Sequence, residues 1–296
     1  MKSLREAIEE ATAALLAAVS FDSQAKLDAE ALLLVALGRE GDRAYLLAHL
    51  RDPVDDEVEH RFRELVTQRA TGKPMQYILG HQEFWSLDFR VTPDVLIPRP
   101  ETEHSVERVL EIVRELAVEQ RRHALRIVDV GTGSGCIAVA VAYSLKRENI
   151  DVEVTGVDIS SAALAVAREN AARHGVGIRF LQSDLLCALL EADEQFDIIV
   201  SNPPYVGSDH PETVQRQVRE FEPSIAVFGG PTGLEQYARL IPQAEQVLAP
   251  QGHLVLEIGY CIEESVRALL PAANWSELIT IGDLQGIPRV VSARRR

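Results

Sequence analysis

Leu125-Arg126-Ile127-Val128-Asp129-Val130-Gly131-Thr132-Gly133-Ser134-Gly135 is the stretch that decides the fold. Residues 125–130 read as a strand, and a helical run opens at Cys136 directly after the glycines. Glycine lets a backbone turn tightly and approach a ligand closely. About two dozen residues further on, strand 152–157 ends at Asp158, where a carboxylate can accept two hydrogen bonds from ribose hydroxyls. The pattern would serve NAD or S-adenosylmethionine. The loop reads Gly131-Thr132-Gly133-Ser134-Gly135 and lacks the final spaced glycine of a dinucleotide fingerprint. Asp129 beside the turn would repel a pyrophosphate but can accept from an ammonium group, which favours S-adenosylmethionine. The next strand ends in Gln182-Ser183-Asp184-Leu185. Asp184 is placed either to accept from an adenine amine or to cap a helix, and Leu185 to pack on the ring.

Outward from this loop, strands and helices alternate. Strands are predicted at 125–130, 152–158, 178–182, 196–201, 252–258, 276–281 and 288–293. Helices are predicted at 101–119, 135–147, 160–174, 232–248 and 260–271. This alternation predicts an α/β fold with a doubly wound sheet. The last two strands, separated by residues 282–286, suit an antiparallel edge and so a mixed sheet.

The apolar run Phe196–Ser201 stops at Asn202-Pro203-Pro204-Tyr205. Proline cannot pair in a central strand, so the strand must end there. Ligands of open α/β sheets bind just outside the C-terminal ends of strands. The Asn202 carbonyl can accept an N–H from a planar substrate nitrogen. Pro203 and Pro204 stiffen the backbone so that a main-chain carbonyl can accept the second N–H. Tyr205 can lie against the flat face of that group. The nitrogen lone pair is then aimed at an electrophilic methyl, and alignment supplies most of the rate. This chemistry requires no metal, histidine base or nucleophilic serine. The histidines are scattered, with only His81 near a candidate site.

Residues 1–73 read as a small all-helical domain. Ser3-Leu4-Arg5-Glu6 fits a capping box for a helix to about Val19. Asp22 or Ser23 can cap a second helix, and Asp42 a third. Val58, Phe62, Leu65 and Val66 form the apolar stripe of a fourth. Residues 74–100 break the helical rhythm. Two short strands, 82–85 and 88–91 around Ser86-Leu87, predict a β-hairpin linker, and Pro93, Pro98 and Pro100 hold the chain extended after it. Phe84, Trp85 and Phe89 are expected to cover a junction. Residues 101–296 then form the α/β domain.

Composition bounds the partners. At 46% hydrophobic and 25% charged, the chain is of ordinary soluble type. Its formal net charge of −15 suits no long nucleic-acid backbone, and the helical domain is itself acidic. The one dense basic run, Arg294-Arg295-Arg296, reads as a solvated tail. No apolar run reaches membrane-spanning length. Cys136, Cys187 and Cys261 are far apart, which fits a reducing cytoplasm and neither zinc nor disulfides. Cys136 is read as a small buried residue.

With the glycine loop, Asp158 and Asn202–Tyr205 in order, the chain resembles class I S-adenosylmethionine-dependent methyltransferases with a Rossmann-like fold. The four-residue motif is shared with adenine-N6 and cytosine-N4 DNA methyltransferases. Pro74-Met75-Gln76-Tyr77-Ile78-Leu79-Gly80, Phe84-Trp85 and Val95-Leu96-Ile97-Pro98-Arg99-Pro100-Glu101-Thr102-Glu103 look like the release factor glutamine methyltransferase family. Glu222-Pro223, Gly229-Gly230, Gly233-Leu234 with Tyr237, and Glu257-Ile258-Gly259 agree.

The resemblance implies methyl transfer from S-adenosyl-L-methionine to N5 of the glutamine in the Gly-Gly-Gln loop of class I peptide chain release factors. S-adenosyl-L-homocysteine is the product. It implies cofactor binding by Gly131, Thr132, Gly133, Ser134, Gly135, Asp158 and Asn202, and glutamine binding by Asn202, Pro203, Pro204 and Tyr205. Asp184 and Leu185 join the cofactor set by the reading above. Residues 98–103 would border the active site, and the helical domain would help to hold the release factor. Leu185 departs from the family, which often has an aromatic there. Pro288-Arg289-Val290-Val291-Ser292 departs too, where the family more often ends in a glycine. A monomer without stable nucleic-acid or membrane binding is expected. The competing readings are glutamine methylation of a ribosomal protein, base methylation of DNA or RNA, and a nicotinamide oxidoreductase or non-catalytic nucleotide module.

Overall fold

Helix caps and apolar stripes shape the front of the chain. The computed structural model describes residues 2–18, 24–118, 124–209 and 214–296. The chain divides into one unit up to Gly80 and another from His81. The first unit holds α1 (Leu4–Ala18), α2 (Ala25–Ala36), α3 (Arg43–Ala48), α4 (Asp56–Ala70) and α5 (Met75–Leu79). At the start of α1 the Glu6 carboxylate accepts from Ser3 N at 2.7 Å, and Ser3 Oγ accepts from Glu6 N at 3.3 Å. This is the capping box, which satisfies two otherwise orphaned donors. Asp42 caps α3 and Asp55 caps α4, each accepting a backbone N–H at 2.9 Å. The caps expected of Asp22 or Ser23 lie outside the described residues. Leu15, Leu32, Leu33, Leu46 and Phe62 fill the unit's core, with Val58 and Leu65 packed at its margin. A polar link joins two of its helices: buried Arg69 of α4 donates through Nε to Asp28 of α2 at 2.8 Å.

The second unit opens with an antiparallel hairpin of β1 (His81–Phe84) and β2 (Leu87–Arg90). Its turn falls on Trp85 and Ser86, one residue earlier than expected. Both adopt positive φ, 56° and 55°, as a two-residue turn matched to strand twist requires. Phe84 and Phe89 pack into this unit's own core beside Val109 and Val113. Trp85 donates from its ring to Ser144 Oγ at 2.9 Å. His81 pairs with Asp88 within the hairpin at 2.6 Å.

A 3₁₀ turn, Pro100–Thr102, leads into α6 (Glu103–Val118). There follow β3 (Leu125–Val130), α7 (Cys136–Arg147), β4 (Val152–Asp158), α8 (Ser161–Arg173), β5 (Arg179–Gln182), α9 (Cys187–Glu191) and β6 (Phe196–Ser201). The chain continues through β7 (Val206–Gly207), α10 (Arg216–Phe221), α11 (Ser224–Val227), β8 (Phe228–Gly230) and α12 (Glu235–Val247). It ends with β9 (Leu248–Glu257), α13 (Glu263–Ala268), β10 (Trp275–Gly282) and β11 (Pro288–Arg295).

The sheet has seven strands in the order β10-β11-β9-β6-β3-β4-β5. The five strands from β9 to β5 pair in parallel, and β11 and β10 add an antiparallel edge. This is the mixed sheet the sequence predicts. Successive residues serve opposite faces: Ile127 and Ile198 enter one core with α6 and α7, while Val128 and Ile199 enter the other with α12. Burial on both faces explains why β3 and β6 carry apolar runs without alternation. Each isoleucine so buried contributes about 1.5–3 kcal/mol. The chain turns from the β4 side to the β6 side at β3, so the crevice at the C-terminal end of β3 is the switch point where such sheets take ligands.

The C-terminal arginines are not a solvated tail. β11 runs on to Arg295. Arg294 pairs with Glu277 at 2.8 Å, Arg295 donates to Leu248 O, and Arg296 Nε donates to Ala272 O at 2.8 Å.

Candidate active site

A cavity of about 250 Å³ opens at the switch point. Gly131, Thr132, Gly133 and Ser134 form its floor, Asp158 and Asp184–Leu185 one side, and Asn202 with Pro204 the other. Gly135, Pro203 and Tyr205 do not line it. Gly135 serves the turn instead. Gly131, Gly133 and Gly135 all have positive φ, at 72°, 54° and 81°, a region costly to any residue with a Cβ. Gly131 N and Thr132 N both donate to Val157 O at 2.9 Å, tying the loop to β4.

Asp158 joins the loop to the cavity wall. One carboxylate oxygen accepts from Gly133 N and the other from Ser160 N, both at 2.8 Å. A carboxylate has about four lone-pair positions, so each oxygen keeps capacity for a further donor. Burial raises its pKa, against the backbone bonds that lower it.

Asp129 does not line the cavity. It is 1% exposed, and one oxygen accepts from Thr132 Oγ1 at 2.6 Å and Ala138 N at 3.2 Å. Its other oxygen has no partner among the described residues. Burial pushes its carboxyl up to about 7. It therefore braces the loop against α7, and the ammonium contact expected of it is not prepared by this geometry. Cys136 lines the cavity as a thiol that burial pushes up to about 12, hence an unreactive one.

Asp184 is neither a helix cap nor free. Its carboxylate pairs with Arg239 of α12 at 2.5 Å, and α9 begins only at Cys187. Ser183 Oγ accepts from Ala188 N instead, at 3.1 Å. Leu185 holds a φ of 51°, unusual for a residue with a branched side chain, and faces the cavity beside Asp184.

At the reaction end, Ser201 Oγ donates to Val130 O at 2.7 Å and locks the tip of β6 to that of β3. Asn202 follows, half-buried, with Nδ2 donating to Thr102 Oγ1 at 3.2 Å. The Tyr205 ring lies against Gly259. Its hydroxyl is held far above the ordinary tyrosine range, first by burial and then by nearby Glu257, so it is no general base. Residues 94–102 form the rim, and Arg99 is fixed by buried Glu222 at 2.5 Å, whose other oxygen accepts from Ile97 N at 3.2 Å. Sequence reasoning missed Ile159, Phe228, Gln236 and Arg239, which also line the cavity. Ile159 carried a signal, an apolar residue directly after a strand-end carboxylate. The other three come from segments far along the chain that the fold alone brings here. Among the described residues no group of His, Cys, Asp and Glu could hold a metal, and no helix is long and apolar enough to cross a membrane.

A mixed seven-stranded sheet with a glycine loop after β3, the middle one of its five parallel strands, and an Asn-Pro-Pro-Tyr strand end defines a class I methyltransferase. Residues 121–278 match a methyltransferase domain model, and residues 6–80 match that of the PrmC N-terminal domain. The solved hMettl16 catalytic domain in complex with MAT2A 3'UTR hairpin 1 superposes with a TM-score of 0.54 at 13% identity, over 88% of this chain and 90% of that one. That likeness shows the fold. The release factor glutamine methyltransferase of Koribacter versatilis (strain Ellin345) is 46% identical over 91% of this chain and 91% of its own. That of Bacillus subtilis (strain 168) is 39% identical over 99% of this chain and 98% of its own. The chain belongs to the release factor glutamine methyltransferase family and is a methyltransferase.

Proposed function

We propose that this enzyme transfers a methyl group from S-adenosyl-L-methionine to the side-chain N5 of the glutamine in the Gly-Gly-Gln loop of class I peptide chain release factors. The observation that carries the reading is that Asp158 and Asn202, at the ends of β4 and β6 on either side of β3, line one cavity. The residues fit the cofactor. The glycine loop leaves room for close approach, Asp158 has acceptor capacity for ribose hydroxyls, and Leu185 offers an apolar face to a purine. Asp184 would accept from the adenine amine once its Arg239 partner shares it.

The bound cofactor would supply an electrophilic methyl on a sulfonium sulfur. Asn202 Oδ1 accepts one N–H of the substrate amide, and a main-chain carbonyl of Pro203-Pro204 accepts the other. Tyr205 backs this segment. Holding both hydrogens fixes the amide plane and directs the nitrogen lone pair at the methyl. The C–S bond breaks as the N–C bond forms, S-adenosyl-L-homocysteine leaves, and the nitrogen loses one proton to solvent. Proximity and orientation of this kind are worth about 7–11 kcal/mol at best. In this reading residues 1–73 hold the release factor, 74–100 connect, and 101–296 perform the transfer.

The test is methyl-labelled S-adenosyl-L-methionine with a purified release factor. Label is expected on the wild-type factor and absent when its loop glutamine is replaced. Equal labelling of both factors sinks the assignment, and preferential labelling of a ribosomal protein would move it within the glutamine methyltransferases.

A further inference from the structure

Asp184 and Leu185 lie in a tight turn between β5 and α9, closed by Cys187 N donating to Asp184 O at 3.1 Å. Leu185 takes the second position of that turn with a φ of 51°. Positive φ there is ordinarily glycine's, and a leucine persists in it only where its surroundings fix the backbone.

Two side chains of α12 grip the turn on either side of Leu185. Arg239 Nη2 donates to Asp184 Oδ2 at 2.5 Å. Gln243 Oε1 accepts from Leu186 N at 2.9 Å. Residues four apart share one face of a helix, so both reach the turn together. Buried Leu240, Ile241 and Ala244 anchor that helix in the core. Gln236, in the preceding helical turn, steadies the guanidinium by accepting from Arg239 Nη1 at 3.3 Å. Leu186 is fully buried, and a buried backbone donor must find a partner. Here a side chain of another element provides one, which ties the seat of the turn to α12.

Arg239 takes one carboxylate oxygen, which leaves Oδ1 for a donor in the cavity that Asp184 lines. A planar guanidinium fixes the direction of a carboxylate as well as its position. The exocyclic amine of adenine is a donor, whereas a 6-oxo group is an acceptor. A carboxylate held in place accepts from the first and repels the second, and one free to rotate discriminates less. We propose, on the reading that this side of the cavity takes the adenine of S-adenosyl-L-methionine, that Arg239 and Gln243 are positioning residues that clamp the Asp184–Leu185 turn and so set the preference for a 6-aminopurine.

The test titrates S-adenosyl-L-homocysteine and its 6-oxo analogue, S-inosyl-L-homocysteine, calorimetrically into the wild type and three variants. Arg239→Met and Gln243→Met keep side-chain length and lose the bond, and Arg239→Lys keeps a donor. The wild type is expected to bind S-adenosyl-L-homocysteine at least about tenfold tighter than the analogue. Each methionine variant is expected to lose about tenfold for S-adenosyl-L-homocysteine and less than about twofold for the analogue, so that the discrimination disappears. Arg239→Lys is expected to bind S-adenosyl-L-homocysteine within about threefold of wild type. A methionine variant of either residue that keeps the wild-type discrimination overturns the clamp. So do equal losses for the two nucleosides, which would mark a general loosening of the cavity, or an Arg239→Lys enzyme as weak as Arg239→Met. A wild type that binds both nucleosides equally overturns the adenine assignment of Asp184 and the clamp with it, and leaves the methylation of a release factor to its own test.

Discussion

Asn202 and Asp158 share one cavity but face different tasks, and single substitutions should separate them. Asn202 Nδ2 donates to Thr102 Oγ1, and among the described residues no bond ties its side chain to the glycine loop. Asn202→Ala is expected to lower kcat about 100-fold, with a much smaller change in cofactor Kd, because only the orientation of the reacting nitrogen is lost. Asp158 is the reverse case. Its carboxylate holds Gly133 N and Ser160 N as well as the side of the cavity assigned to the ribose. Charge-assisted bonds are worth about 1.5–3 kcal/mol each, so Asp158→Ala is expected to weaken cofactor binding by about 10–100-fold. Calorimetric titration with S-adenosyl-L-homocysteine beside steady-state kinetics reads both numbers. Parallel losses of Kd and kcat in Asn202→Ala would mean that Asn202 mainly holds the cofactor.

The strand-end segment keeps its shape because other elements press against its backbone. β8, paired with β7 just beyond the segment, approaches it so closely that a Cβ on Gly229 would stand 2.1 Å from Pro204 O. Backbone cannot retreat like a flexible side chain, so Gly229→Ala must displace residues 204–207 or β8. Overpacking of this type costs about 1–3 kcal/mol. The expected result is a lowered thermal midpoint together with a larger proportional loss of kcat than of cofactor affinity. Full turnover in a folded Gly229→Ala enzyme would show that the segment tolerates displacement.

None of this crossing is legible in the sequence. The Gly229-Gly230 pair stands out, but its partner carbonyl lies 25 residues earlier and meets it only through the fold. The long elements were legible for a local reason. β3, β4 and β6 are buried runs that end in chemically distinctive residues, and the glycine loop joins strand to helix without a spacer. Short elements such as α9, α10 and α11 are too brief to show a helical period. Asp184 was legible as a strand-end carboxylate, but its Arg239 partner was not, since α12 reaches it from the other half of the sheet. The hairpin turn was misplaced by one residue because Trp85 carries no turn signal, although it adopts positive φ.

Across the whole molecule, the charge taken into the α/β unit sets how stability responds to pH. Asp129 and Glu257 are each 1% exposed, and burial pushes both up to about 7. Around Glu257 stand Glu101, which raises its pKa further, and Arg99 and Arg289, which lower it. Cys136, Tyr205 and Tyr237 also feel its charge. In the unfolded chain these carboxyls lose their protons near the ordinary values of 3.8 and 4.5. Between those values and about 7 the folded protein binds more protons than the unfolded one. Stability must therefore fall as pH rises through that window. The carboxylates with lowered pKa, such as Glu148 and Glu194, act oppositely but only below the ordinary glutamate range, and they are largely solvent-screened. The thermal midpoint is thus expected to be higher at about pH 5.5 than at about pH 8. Asp129→Asn should flatten the slope by removing one of the two protons. A midpoint that climbs steadily across the window would overturn the account.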